Sequence, residues 1–212
     1  MANKFYKNDY RIRKVLRDFA NENPIGKVLK PLFKDLYKFA NKFLPYPRDF
    51  LLREIPKNSL VCEVGVYEGD LSERILKISK PKKLYLVDPW AAITTRSEKK
   101  YNQASQDIRL SNVKEKFKDE LSRGQVEIIR KTSDEAATDF PPKFFDFIYI
   151  DGDHSYEQVK KDLDTYFTKV KSGGELAGDD YQIPSVKQAV DEFAIEKNIP
   201  VRVRNFQFVF QK

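Results

Sequence analysis

An α/β fold with a mainly parallel sheet flanked by helices, preceded by a helical appendage, is predicted by three features of the sequence. From residue 59 onward, short apolar, β-branched runs alternate with helical stretches, which is the pattern of βαβ units. Before residue 49 the apolar residues follow a helical period only, and Pro45 and Pro47 close that pattern. The last apolar run, 200–210, is long enough for two strands joined as a hairpin around Arg204 and Asn205, which brings the strand count to seven.

The elements follow in order. Residues 1–48 carry two amphipathic stripes, Ile12, Val15, Leu16 and Phe19, then Val28, Leu29, Leu32, Phe33, Leu36, Tyr37 and Ala40. The break between them falls at Asn23, Pro24 and Gly26. The segment holds twelve Lys and Arg against four Asp and Glu, a net +8, and leaves 27 against 28 for residues 49–212. The basic character of the chain therefore belongs to this segment, with Lys30, Lys34 and Lys38 on one face able to meet phosphate, a membrane surface or water. Its apolar stripes must be covered, and a homodimer or a lid over the main domain is expected. In the domain of residues 49–212 the expected strands are 59–64, 83–88, 125–130, 145–151, 174–179 and 200–210. The expected helices are 70–79, 104–122, 155–171 and 184–197, the second with Ile108, Leu110, Val113 and Phe117 on one stripe.

Composition excludes several classes. Hydrophobic residues at 41% and charged residues at 33% suit a folded soluble chain. No apolar run approaches the roughly 18 residues of a membrane span, and the first residues lack a signal-peptide core, so a cytoplasmic protein is expected. The single cysteine, Cys62, rules out an intramolecular disulfide and a multi-cysteine zinc site. Within Leu60-Val61-Cys62-Glu63-Val64 it reads as a buried small hydrophobe.

The chemistry concentrates at strand ends. The first strand runs into Glu63-Val64-Gly65-Val66-Tyr67-Glu68-Gly69-Asp70, a glycine turn leading into a helix, where α/β folds hold nucleotide-type ligands. Gly65 permits a tight turn and close approach. Asp88, ending the second strand, offers a carboxylate to both hydroxyls of a ribose. A dinucleotide site would place glycine where Tyr67 and Glu68 stand, and the carboxylates of Glu63 and Glu68 repel phosphate, so a ligand with an amino group and a sulfonium fits better. The fourth strand delivers Asp151-Gly152-Asp153-His154-Ser155-Tyr156, and the fifth delivers Asp179-Asp180-Tyr181, to the same edge. Asp151, Asp179 and Asp180 can converge there on a hard divalent cation, Mg2+ or Mn2+. His154, the chain's one histidine, has an ordinary pKa of about 6.5 and can take a hydroxyl proton, with Asp151 as the alternative base. Asp153 or Ser155 can cap the helix that follows. Trp90, close after Asp88, lies either against an adenine ring or in the core.

The string from Glu63 to Gly69, E-x-G-x-[GY]-x-G, resembles the first motif of the class I S-adenosylmethionine-dependent methyltransferases, which have a Rossmann-like fold, and the likeness extends over residues 59–182. Asp151 to Tyr156 with Asp179-Asp180 resembles the cation-dependent O-methyltransferases of the catechol and caffeoyl-coenzyme A type, and also the bacterial macrocin and sugar O-methyltransferase group. In the plant enzymes a lysine stands at the position of His154 and an asparagine at that of Asp180. The resemblance implies S-adenosylmethionine held by Glu63, Gly65, Tyr67, Gly69, Asp88, Trp90, Asp151 and Ser133, the last following the third strand where this family meets adenine. It also implies methyl transfer to a hydroxyl of a small molecule or sugar. Two other readings stand beside it: an RNA methyltransferase that uses the basic segment, and a non-catalytic ligand-binding domain of the same fold. The chain has no N/D-P-P-Y string after the fourth strand and no catalytic cysteine, which speaks against methylation of bases.

Overall fold

The computed structural model describes residues 48–92 and 102–212. The helices expected within residues 1–48 lie outside the described residues, apart from Arg48. By contacts the chain divides into two compact units, Met1–Phe50 and Leu51–Lys212. The described elements are α1 (Asp49–Glu54), β1 (Leu60–Val64), α2 (Asp70–Ile78), β2 (Lys83–Val87), α3 (Gln103–Lys116), α4 (Lys118–Ser122) and β3 (Val126–Ile129). They continue with α5 (Ser133–Ala137), β4 (Phe145–Ile150), α6 (Tyr156–Lys169), β5 (Val170–Gly178), α7 (Pro184–Lys197), β6 (Arg202–Arg204) and β7 (Gln207–Gln211).

The seven strands form one sheet in the order β3-β2-β1-β4-β5-β7-β6. β1 to β5 pair in parallel, while β7 runs antiparallel to both β5 and β6. The strand order reverses direction between β1 and β4, the kind of switch point that opens a crevice at the carboxyl edge. Register fills that crevice. Val64 pairs with Val87 and with Ile150, and Ile150 pairs with Gly178. The next residue of each strand is therefore Gly65, Asp88, Asp151 and Asp179, so four residues distant in sequence emerge side by side.

Burial on both faces explains why the central strands read as near-continuous apolar runs. Cys62, Val64, Ile148 and Ile150 pack in one cluster with Val159, Leu163 and Tyr166 of α6 and with Val186, Val190 and Phe193 of α7. Tyr85, Phe140, Phe144 and Phe145 meet there mostly edge-to-face, with centroids 4.7–5.9 Å apart. Cys62 is fully buried, and its thiol is pushed up by desolvation and by the neighbouring Glu63, consistent with a packing residue.

Several expectations are corrected. The helix expected over 104–122 is two helices, because Phe117 leaves the helical region at φ −111, ψ 21. Its stripe keeps Leu110, Val113 and Phe117 buried, but Ile108 is exposed. The helix expected over 155–171 stops at Lys169, since Val170 turns extended and opens β5 four residues before the expected strand. α1 and α5 were not anticipated; α5 carries a capping box in which Thr132 and Glu135 satisfy each other's backbone amides.

Candidate functional site

The glycine turn after β1 is built around Asp88. Its Oδ2 accepts hydrogen bonds from the amides of Val66 and Tyr67, both at 3.0 Å, and its Oδ1 accepts from the amide of Trp90 at 2.7 Å. Tyr67 and Trp90 both have positive φ, 55 and 38, so this carboxylate holds two strained loops against each other. The Trp90 indole N–H then donates to the Tyr67 carbonyl at 3.1 Å, and the side chain is completely buried. The structure thus gives Trp90 the core position, locking the turn, and not a face turned to a ligand.

Gly65, at φ +90, is needed for a reason the sequence did not supply. A Cβ there would lie 2.0 Å from the Asp151 carbonyl oxygen, so what approaches closely is the end of β4. Gly69, at φ +74, precedes α2, and a Cβ on it would meet the Phe117 ring at 2.8 Å. Glu63 is buried and accepts a 2.6 Å hydrogen bond from the Ser72 hydroxyl. Tyr67 is half exposed, and its ring carries the Arg109 guanidinium 4.5 Å from the centroid. Ser133 opens α5, and its hydroxyl accepts from the Gln158 amide at 3.1 Å.

Beyond β4 three donors meet. Asp151, His154 and Asp180 each offer an atom within 4.8 Å of the others. His154 Nε2 is 2.8 Å from Asp180 Oδ2 and 3.9 Å from Asp151 Oδ1. Contact with the Asp180 carboxylate raises the pKa of His154, burial opposes the rise, and the charges of Asp180, Asp151 and Asp153 add to it. The Asp180 approach lies off the direction of a ring N–H bond, so the enclosed nitrogen has no hydrogen-bond partner among the described residues. An enclosed nitrogen aimed between two carboxylates fits a cation in their midst. The donor set, two carboxylates and an imidazole, suits manganese better than magnesium, which prefers oxygen alone.

Asp179, expected in the metal set, does not join this group. Its Oδ1 accepts from the side-chain amide of Gln207, whose own oxygen accepts from the buried Tyr149 hydroxyl. Gln207 and Tyr149 escaped sequence reasoning; Gln207, at the start of the strand Gln207-Phe208-Val209-Phe210-Gln211, is buried whereas Gln211 at its end is exposed, a difference that the sequence does not signal. Asp153 does not cap α6 in the expected way either. Ser155 occupies the cap position without a side-chain bond, and Asp153 accepts the Ser155 amide at 2.6 Å.

Comparison with known proteins agrees with this geometry. Residues 62–181, more than half of the chain, match the family described as a methyltransferase domain. An uncharacterized protein of Acanthamoeba polyphaga mimivirus, R132, is 28% identical over 186 residues, covering 84% of this chain and 73% of that one. Among solved structures, the O-methyltransferase NovP aligns with a TM-score of 0.55 at 22% identity, over 78% of this chain and 75% of its own. A proposed caffeoyl-CoA O-methyltransferase from Staphylococcus aureus aligns with a TM-score of 0.59 at 14% identity, over 97% and 99% of the two chains. At these identities the structural likeness speaks for the fold, the Rossmann-like fold of class I S-adenosylmethionine-dependent methyltransferases. No helix among the described residues is long and apolar enough to cross a membrane.

Proposed function

Because the chain belongs to the methyltransferase-domain family, we propose that it transfers the methyl group of S-adenosylmethionine to a hydroxyl of a small molecule or sugar, with a divalent cation bound beside the reacting oxygen. The observation that carries this reading is the convergence of Asp151, His154 and Asp180 at the carboxyl edge, directly beside the glycine turn. The naming of NovP and the S. aureus protein as O-methyltransferases supports it.

In this reading the turn from Glu63 to Gly69 and Asp88 cradle the donor. Asp88 already accepts three backbone amides, two of them at Oδ2, so the one lone pair left on Oδ1 can meet a ribose hydroxyl without a change in the turn. Asp151 and Asp180 would hold the cation. Bound there, it would lower the pKa of an acceptor hydroxyl. His154, with a side chain 41% exposed, takes the proton where Asp151 and Asp180 alone hold the cation; where its Nε2 is the third donor to the cation, the proton leaves to water. The acceptor oxygen, relieved of its proton, bonds to the methyl carbon as the carbon–sulfur bond breaks, and S-adenosylhomocysteine leaves. The turn and the acidic cluster contribute mainly by holding the two reactants in line.

The basic segment 1–48, with its net +8, is assigned to acceptor capture or self-association. RNA as the acceptor is the second reading that this charge favours.

The test is methyl transfer from labelled S-adenosylmethionine to a panel of hydroxylated acceptors and to RNA, with manganese or with excess chelator. Transfer to a hydroxylated small molecule that chelator abolishes is the expected result. Transfer undiminished in chelator removes the cation from the reading, and transfer to RNA alone replaces the acceptor class.

A further inference from the structure

We infer that Gln207 is a positioning residue of the acidic cluster: by holding Asp179, it decides which of two adjacent carboxylates faces the cation. This rests on the cation-assisted methyl-transfer reading given above.

The starting point is a polar side chain in an apolar place. Gln207 opens β7 and is 3% exposed, beside Phe208 and Phe210 at 1% and 0%. Burying a side-chain amide is costly unless its donors and its acceptor are engaged, and here they are. Nε2 donates to the Asn205 carbonyl at 3.1 Å and to Asp179 Oδ1, while Oε1 accepts from the Tyr149 hydroxyl. These partners force the orientation of the amide. Turned over, it would set its oxygen against a carbonyl and a carboxylate. Tyr149 is completely buried on β4, so the bonds run from the interior of the sheet, through Gln207, to Asp179.

The consequence lies in the turn after β5. The Asp179 amide donates to the Ile150 carbonyl at 3.2 Å, which fastens this residue to the end of β4, and the chain then reverses at Asp180 in the left-handed region, φ 62. The two neighbouring side chains part there. Asp179 is held toward β7, while Asp180 comes within 2.8 Å of His154 and joins Asp151. Without the Gln207 donor an ionised Asp179 loses a charge-assisted bond, and the cation held by its neighbour would compensate it. Gln207 thereby keeps the donor set at two carboxylates and an imidazole, where a third carboxylate would add its charge.

A double-variant cycle on the full chain tests this, with S-adenosylhomocysteine present and manganese binding followed by electron paramagnetic resonance. Asp179→Asn should change manganese affinity about twofold or less while Gln207 is in place, and about tenfold or more in a Gln207→Leu background, where Asp179 has joined the cation. Gln207→Leu by itself should bind manganese at least as tightly as the wild type and keep its affinity for S-adenosylhomocysteine within about twofold. A glutamine that only stabilises the fold would lower the melting temperature when replaced, and leave the effect of Asp179→Asn the same in both backgrounds. That result would overturn the proposal, as would a large effect of Asp179→Asn with Gln207 in place, or loss of manganese from a folded Gln207→Leu. If the orphaned Tyr149 hydroxyl keeps Gln207→Leu from folding, the paired variant Tyr149→Phe, Gln207→Leu removes that hydroxyl and carries the same comparison. A wild type that binds S-adenosylhomocysteine but no manganese defeats the cation reading, and the role of Gln207 with it. That outcome is distinct from the others, because it shows before any variant is made.

Discussion

The two halves of the carboxyl edge are built differently. On the side of β1 and β2, polar groups are satisfied within the turn: Asp88 binds three amides, Glu63 takes the Ser72 hydroxyl, and Trp90 is buried with its N–H bonded. On the side of β4 and β5, the His154 nitrogen has no hydrogen-bond partner among the described residues, and Asp180, Asn205 and Phe206 all hold positive φ. The first half is a preformed cradle whose own bonds stabilise it. The second brings two carboxylates and an imidazole together beside a run of positive-φ residues, as expected where a cation and an acceptor complete the site.

The largest effect should come from breaking the junction between the halves. Gly65→Ala places a methyl group against the Asp151 carbonyl at a φ of +90, so β1 and β4 must separate at their ends. A loss of more than about 3 kcal/mol in chemical denaturation is expected, with binding of S-adenosylhomocysteine abolished. An alanine variant of normal stability would mean that the two halves are not locked together at this point.

Within the preformed half, Asp88→Ala removes the acceptor of three amides as well as the ribose contact. Affinity for S-adenosylhomocysteine should fall by about 10²-fold or more in calorimetry, with a lower Tm even without ligand. A fall in affinity with unchanged Tm would show that the turn does not depend on Asp88 for its shape.

The other half is sharpened by a paired comparison of neighbours. Asp180→Asn should weaken manganese binding by at least about tenfold, while Asp179→Asn, whose carboxylate faces Gln207, should change it about twofold or less. Equal losses would return Asp179 to the cation. Manganese binding should also weaken as pH falls through the raised pKa of His154, because a protonated imidazole repels the ion.

The smallest effect lies behind both halves, at Asp162 of α6. It is 2% exposed, bonded to Gln158, and its carboxyl is pushed up to about 6, chiefly by burial. The folded protein therefore binds a proton more tightly than the unfolded chain, so this group makes stability fall as pH rises from about 4 to about 6 and hold level above that. Asp162→Asn should raise stability at pH 8 by on the order of 1 to 2 kcal/mol and flatten that slope. A variant less stable than wild type at pH 8 would show that ionised Asp162 is better solvated than its burial suggests.

How much of this was legible follows from what each feature depends on. Strand positions and the hairpin could be read because periodicity and β-branched runs are local signals, and α7 was expected at 184–197, where it lies. The capping box of α5 was also local, Thr132 with Glu135, and was simply passed over. The edge placement of Asp88 and Asp151 follows from strand ends, but where each side chain points depends on tertiary partners. Asp179 and Asp180 are adjacent, so spacing could not distinguish the one that turns to Gln207 from the one that meets His154. The need for Gly65 likewise arises from the Asp151 carbonyl, 86 residues further on.

In the proposed reading the acidic cluster holds a cation beside the donor. Titrating the full chain with manganese in the presence of S-adenosylhomocysteine, followed by electron paramagnetic resonance, tests it most directly. One ion bound by the wild type and lost in the Asp151→Asn, Asp180→Asn double variant, with S-adenosylhomocysteine still bound, is the predicted result. A wild type that binds the nucleoside but takes up no manganese would contradict it.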